Sequence, residues 1–174
     1  MTPSRYDFIV SEPSHPWVPG VANLFTQEFF ELGRARLNDD GIFVQWVQIY
    51  QLSTESLRSV LATYHKVFPH VLVFRVGGVN EGKDLILVGS RRPLNFDHLD
   101  RWMDPRMAID NTVNLKTESD ITSWFVCDES KLGPAVAGAK INTDDNMHIE
   151  MTVPREAFRP LMQSNAEWVQ ALAR

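Results

Sequence analysis

The sequence predicts an α/β fold with a largely parallel sheet, on three observations. Strand-type and helix-type segments alternate through the first half of the chain. The first apolar run, residues 6–11 (YDFIVS), lacks polar alternation, as in a strand covered on both faces. The intervals between the first three strand segments are long enough for the crossover helices that parallel neighbours require.

Each element has a local cause. After the first strand, SEPSHPWVPG carries three prolines and a glycine and must be a loop. Asn23 is placed to cap the next helix, on which Phe25, Phe29 and Leu32 recur at helical spacing. The run Asn38-Asp39-Asp40-Gly41 stops that helix and leads into a second strand over 42–48. Ser53 caps a second helix whose inner face is Leu57, Val60, Leu61 and Tyr64, and Pro69 ends it. Residues 70–76 and 84–89 read as two strands joined by the glycine-bearing turn 77–82, a hairpin. The first three strands are therefore expected to be parallel and the fourth antiparallel.

The second half is less regular. Short helices are expected over 95–103 and 118–126, the latter capped by Ser119 or Thr117. Residues 133–138, with a glycine at each end, break the pattern. A short strand is expected within 141–153. A terminal helix is expected over 158–173, with Leu161, Trp168 and Leu172 on one side. The expected division is residues 1–92 as α/β sheet and 93–174 as a helical or irregular extension packed on it.

Composition narrows the function classes. The 174 residues are 44% hydrophobic and 22% charged, which suits a single globular domain rather than a disordered chain. A formal charge of −5 disfavours nucleic acid as a partner, because phosphate binding needs a concentrated basic face. No window approaches the ~20 consecutive apolar residues of a membrane span. The start, MTPSRYD, lacks a basic region followed by an apolar stretch, so no signal peptide is expected. The one cysteine, Cys127, forbids an internal disulfide and reads as a small buried hydrophobe in a reducing, cytoplasmic setting.

The stretch YDFIVSEPSHPWVPGVANLFTQEFFELGRARLNDDGIFVQW resembles the central segment of the polyamine aminopropyltransferases, the spermidine synthase family, and more closely its bacterial spermidine synthase-like branch. The likeness runs over about residues 6–90 and returns in NTDDNMHIEMTVPR at 142–155. The resemblance implies a partial Rossmann-like sheet of the class I methyltransferase fold, with strands equivalent to the fourth to seventh. It also implies a transferase that moves an aminopropyl group to an amine, with decarboxylated S-adenosylmethionine or S-adenosylmethionine serving the complete domain. In that fold the cofactor is held by a Gly-rich loop after the first strand. No GxGxG occurs in these 174 residues, so no cofactor-binding residue is expected in this chain, which looks like the carboxyl half of an enzyme domain, inactive alone. The alternative is a non-catalytic association module or truncated remnant that pairs with another chain.

Aminopropyl transfer needs an amine nitrogen with a free lone pair, so an ammonium must be held and deprotonated. The family places two acids for this in an Asp-x-x-Asp-Pro loop, which aligns on Glu12 and His15, followed by Pro16. Glu12 keeps the charge on a longer arm. His15 removes an anion but leaves a ring nitrogen able to accept a proton near neutral pH. Both also have plainer readings, Glu12 as a solvated loop residue and His15 as a loop side chain. Trp17 either lines a substrate cleft or pins the loop to the core. The family has a substrate-side glutamine near the end of the second strand. Trp46 stands in the matching place, with Gln45 offset from it by one position and Gln48 close by, and Gln45 is carried as the substrate-side candidate. Asp144, Asp145, His148 and Glu150 form the most polar cluster in the chain. Their spacing matches no calcium loop, so turn capping is favoured over a metal, while the resemblance implies that Asp144 and Asp145 face the cleft and attract a cationic substrate.

The strand from Tyr6 to Val10 is central in the complete fold. Standing first here, it is expected to need a companion: a second copy, making a homo-oligomer, a separate amino-half chain, or the tail of this chain folded back. Helices of the tail are the available cover for the sheet face that the first two helices leave open.

Overall fold

The computed structural model describes residues 4–96, 117–156, 158–159 and 161–173. Strand β1 (Tyr6–Ser11) runs through the Pro-rich loop and a 3-10 turn (Val21–Phe25) into helix α1 (Gln27–Ala35) and strand β2 (Leu37–Gln48). Helix α2 (Thr54–Val67) follows, then strands β3 (His70–Val76) and β4 (Asp84–Ser90). The described tail holds α3 (Glu118–Thr122), β5 (Phe125–Asp128), α4 (Glu129–Val136), α5 (His148–Glu156) and α6 (Met162–Leu172).

The sheet order is β1-β2-β4-β3-β5. Strand β1 lies parallel to β2, with Val10 opposite Val44 and Ser11 opposite Gln45. Strand β4 is antiparallel to both β2 and β3, so β1, β2 and β3 point the same way and β4 alone among these four is reversed, as expected. The β3–β4 hairpin turns through Gly77 and Gly78, both at positive φ (87° and 97°), which a side chain would resist.

Several boundaries differ from expectation. The cap of α1 is Thr26, whose hydroxyl accepts from Phe29 N–H at 3.3 Å, and Asn23 sits inside the preceding 3-10 turn. Residues 38–41 belong to β2 rather than to a stop signal, because α1 has already closed at Ala35. The register jumps there, from Tyr6 opposite Leu37 to Phe8 opposite Ile42. Ser53 caps α2 as expected, accepting from Ser56 N–H at 3.1 Å.

In the tail, Thr117 caps α3, but the helix ends at Thr122, and Phe125–Asp128 pairs with β3 instead of continuing it. Val126 and Cys127 are buried there, where a fifth strand completes the sheet edge. Helix α4 runs through Gly133 and Pro134, where a break was expected. Asp128 caps its start, Leu132 and Val136 bury its inner face, and Arg58 bonds the carbonyls of Ala135 and Ala137 at its end. A helix, α5, also replaces the strand expected within 141–153. Ile149 and Val153, one helical turn apart, are both fully buried, and Asn146 Oδ1 accepts from His148 N–H at 2.9 Å to start the turn. Helix α6 starts at Met162, later than expected, and Phe158 is 94% exposed. The helix expected over 95–103 lies, from residue 97 on, outside the described residues.

The core sits between one face of the sheet and α1–α2. Phe30, Phe43, Tyr64 and Phe68 interlock with ring centroids 4.8–6.3 Å apart, and the Tyr64 hydroxyl donates to the Phe43 carbonyl at 2.6 Å. Helices α4, α5 and α6 all pack against α2, on the side of α1 and α2, rather than over the opposite face. That opposite face carries Phe8, Val10, Ile42, Val44, Trp46, Ile86 and Val88 by strand alternation. Phe8 and Val10 are each 58% exposed. Among the described residues, β1 has β2 as its single strand neighbour, so its outer edge is open.

Candidate functional site at the carboxyl ends of β1 and β2

Strand β1 ends at Ser11, beside Gln45, and β2 continues three residues further to Gln48, which lies opposite Asp84, the first residue of β4. The loop after β1 folds back over this corner, held by its buried prolines Pro13 and Pro16. Its His15 ring stacks on Trp17, with centroids 4.3 Å apart and planes 5° apart. The same ring meets Tyr50 edge-on at 5.9 Å and lies 6.4 Å from Trp46. Tyr50 and Trp17 are 6.5 Å apart. Four rings from the loop, from β2 and from the segment after β2 thus gather at one corner of the sheet.

The polar atoms at this corner lack partners among the described residues. Gln48 is fully buried, and both its amide oxygen and its amide nitrogen are unpaired. His15 Nδ1 and Asp84 Oδ1 are buried and unpaired as well. Buried polar atoms in folded proteins are nearly always bonded, so a cluster of orphans marks a place that water or a ligand completes. Burial raises the Asp84 carboxyl above its ordinary range, with the nearby His15 and Lys83 pulling the other way. Burial and the neighbouring Asp84 raise the Tyr50 phenol.

The other sequence-derived candidates sit differently. Glu12 is exposed at the mouth of the corner. Gln45 is fully buried, but alternation places it with Phe43 and Val47 on the helix-covered face, where its amide donates to the Trp46 carbonyl at 3.0 Å. Gln48, by the same parity, shares the opposite face with Trp46 and Asp84. Asp144 and Asp145 are exposed in a turn closed by Thr143 and Asn146, and Asp144 N–H donates to Glu28 Oε2 at 2.9 Å at the start of α1. Glu150 accepts from Gly20 N–H, and His148 is buried, so the polar cluster divides among separate structural bonds. Among the described residues, no three ligating side chains converge as a metal would need. Tyr50 and Asp84 are additions of the structure. The signal for Asp84 in the sequence is a lone carboxylate opening the otherwise apolar DLILVGS run.

The described residues do not fit an adenosyl group. A Gly-rich strand-turn-helix is absent from the sequence, and the orphaned atoms of this corner lie on β2, β4 and the loop, away from β1's open edge.

Residues 1–77 match the spermine/spermidine synthase domain. Over 101 residues, 57% of this chain, the sequence is 28% identical to polyamine aminopropyltransferase 2 of Aquifex aeolicus. A probable spermidine synthase from Corynebacterium glutamicum superposes on 82% of the chain with a TM-score of 0.53 at 21% identity, a likeness of fold. The matched part spans 20% of the Aquifex protein and 49% of the Corynebacterium chain. No helix among the described residues is long and apolar enough to cross a membrane.

Proposed function

We infer, from the premise that this chain belongs to the spermidine synthase-like family, that it supplies the amine-holding side of an aminopropyltransferase-like site. The observation that carries this reading is the Gln48 side chain, wholly buried with both polar atoms unpaired, opposite Asp84, whose carboxyl lies within electrostatic reach of His15 and Tyr50 in the ring cluster. An alkylammonium suits such a corner. Its N–H groups donate to the Gln48 and Asp84 oxygens, its charge is favoured near ring faces, and its carbon chain lies along them. Leaving such groups unpaired costs about 1–3 kcal/mol each, which a fitting ligand recovers.

In this reading His15 and Glu12 take the proton from the bound ammonium, which frees the lone pair. Trp17 closes the corner, Gln45 steadies the β2 backbone beneath Trp46, and the exposed Asp144 and Asp145 add negative potential at the same end of the sheet. The described residues do not fit the aminopropyl donor of the family, decarboxylated S-adenosylmethionine, so in this reading their part is to hold the amine. The setting proposed is cytoplasmic, where polyamines and reduced thiols coexist. Titration calorimetry of the chain with 1,4-diaminobutane tests the reading: saturable binding is expected, and its absence for diamines and triamines alike would overturn it.

The open edge of β1 favours a second, compatible reading, pairing with another copy of the chain. An antiparallel pairing centred on Phe8 sets Tyr6 of one copy against Val10 of the other, joining two exposed apolar residues on one face. Light scattering is expected to give a dimer that Val10→Lys converts to a monomer. A monomeric wild type at micromolar concentration would remove this reading.

A further inference from the structure

We propose that Asp84, contributed by the reversed strand β4, is the anionic anchor of an alkylammonium site whose second acceptor is Gln48. The inference rests on the amine-holding reading above and identifies the residue that carries the binding charge. Among the described carboxylates singled out at this end of the sheet, Glu12, Asp144 and Asp145 are exposed to water, where a charge pair contributes little. Asp84 is half-buried and has an oxygen with no partner among the described residues.

Register brings the second acceptor to it. Ile49 N–H donates to the Lys83 carbonyl at 2.9 Å, which makes that pair a hydrogen-bonded one. The neighbouring pair, Gln48 opposite Asp84, is therefore of the closer, non-hydrogen-bonded kind, with side chains side by side on one face. A single ammonium can donate one hydrogen bond to an oxygen of each. His15 and Tyr50 both lie within electrostatic reach of Asp84, so the carboxylate belongs to the aromatic corner and not to a separate patch. Rings on one side and two acceptors on the other specify a primary ammonium on an unbranched alkyl chain.

The test is calorimetry of the intact chain with 1,4-diaminobutane for wild type, Asp84→Asn and Glu12→Gln, with thermal unfolding of each unliganded protein. Asp84→Asn is expected to weaken binding at least about tenfold, the loss of one charge-assisted hydrogen bond. Glu12→Gln is expected to weaken it much less. Because the Asp84 oxygen is buried without a partner, the unliganded Asp84→Asn protein is expected to melt at the wild-type temperature or higher. Unchanged affinity in Asp84→Asn overturns the anchor and leaves the amine reading intact. A clearly lowered melting temperature makes Asp84 a structural residue and also overturns it. If wild type binds no amine, the amine reading falls and the anchor with it.

Discussion

The side-chain amide of Asn165, on α6, donates to the carbonyl oxygen of Leu52 at 2.7 Å. A second bond runs from the same nitrogen to Ile49 at 2.9 Å, and Asn165 Oδ1 accepts from the Thr54 hydroxyl at 2.7 Å. Asn165 is fully buried, so the last described helix clasps both ends of the segment that carries Tyr50. Gln51 in that segment has a positive φ of 57°, a conformation that a non-glycine residue holds only when its surroundings enforce it.

Replacing Asn165 by Ala leaves two buried carbonyls and a hydroxyl without their partner. The expected loss is about 2–4 kcal/mol, at the upper end of what a deleted buried hydrogen-bonding group costs. Urea unfolding of Asn165→Ala measures it. Titration with 1,4-diaminobutane should also show weaker binding, because the Tyr50 segment loses its clasp. A variant that unfolds at the wild-type urea concentration would refute the clasp.

Acid sensitivity is expected from the start of α4. Hydrogen bonds from the Ser130 hydroxyl and N–H lower the Asp128 carboxyl, outweighing its partial burial. Burial pushes the Glu129 carboxyl up, but bonds from the His70 ring at 2.9 Å and from Val71 N–H at 3.2 Å outweigh it, and the group is lowered overall. A carboxylate lowered by folding stabilises the protein above its unfolded value and loses that contribution as pH falls through the folded one. Stability should therefore decline below about pH 4, the ordinary carboxylate range. Urea midpoints between neutral and acid pH check this, and Asp128→Asn combined with Glu129→Gln should flatten the decline.

The Cys127 thiol should be inert in the folded protein. Burial, with the adjacent Asp128 charge, pushes it up to about 12, so little thiolate exists at neutral pH and almost none of the residue is accessible. Ellman's reagent at pH 8 is expected to leave it unmodified until guanidinium is added, after which one equivalent reacts. Rapid modification of the native chain would contradict the buried position of β5.

The α/β class, the directions of the first four strands and the Ser53 cap were legible because each follows from neighbours in sequence. Leu57, Val60, Leu61 and Tyr64 repeat at helical spacing and are all buried. The tail was misread where two local signals competed. Gly133 and Pro134 signal a break, yet α4 is held by side-chain bonds from Arg58, far away in sequence. The 141–153 stretch has apolar residues compatible with either strand or helix, and the burial of Ile149 and Val153 one turn apart selects the helix.

The candidate site divides the same way. A proline-bounded loop after an apolar strand segment marks Glu12, His15 and Trp17 from sequence alone, although the strand itself is exposed along one edge and not covered on both faces as its apolar run implies. Choosing between Gln45 and Gln48 required the side-chain parity of β2, which counts from the register with β1 and β4 and so depends on pairing between distant segments. Asp84 was invisible as a site residue because β4 enters the sheet beside β2 rather than at its edge. Local sequence determined which segments become strands and helices, since backbone propensity, caps and apolar spacing act over a few residues. Tertiary structure alone decided which polar atoms meet, because the insertion of a reversed strand brings together groups that no short-range rule connects.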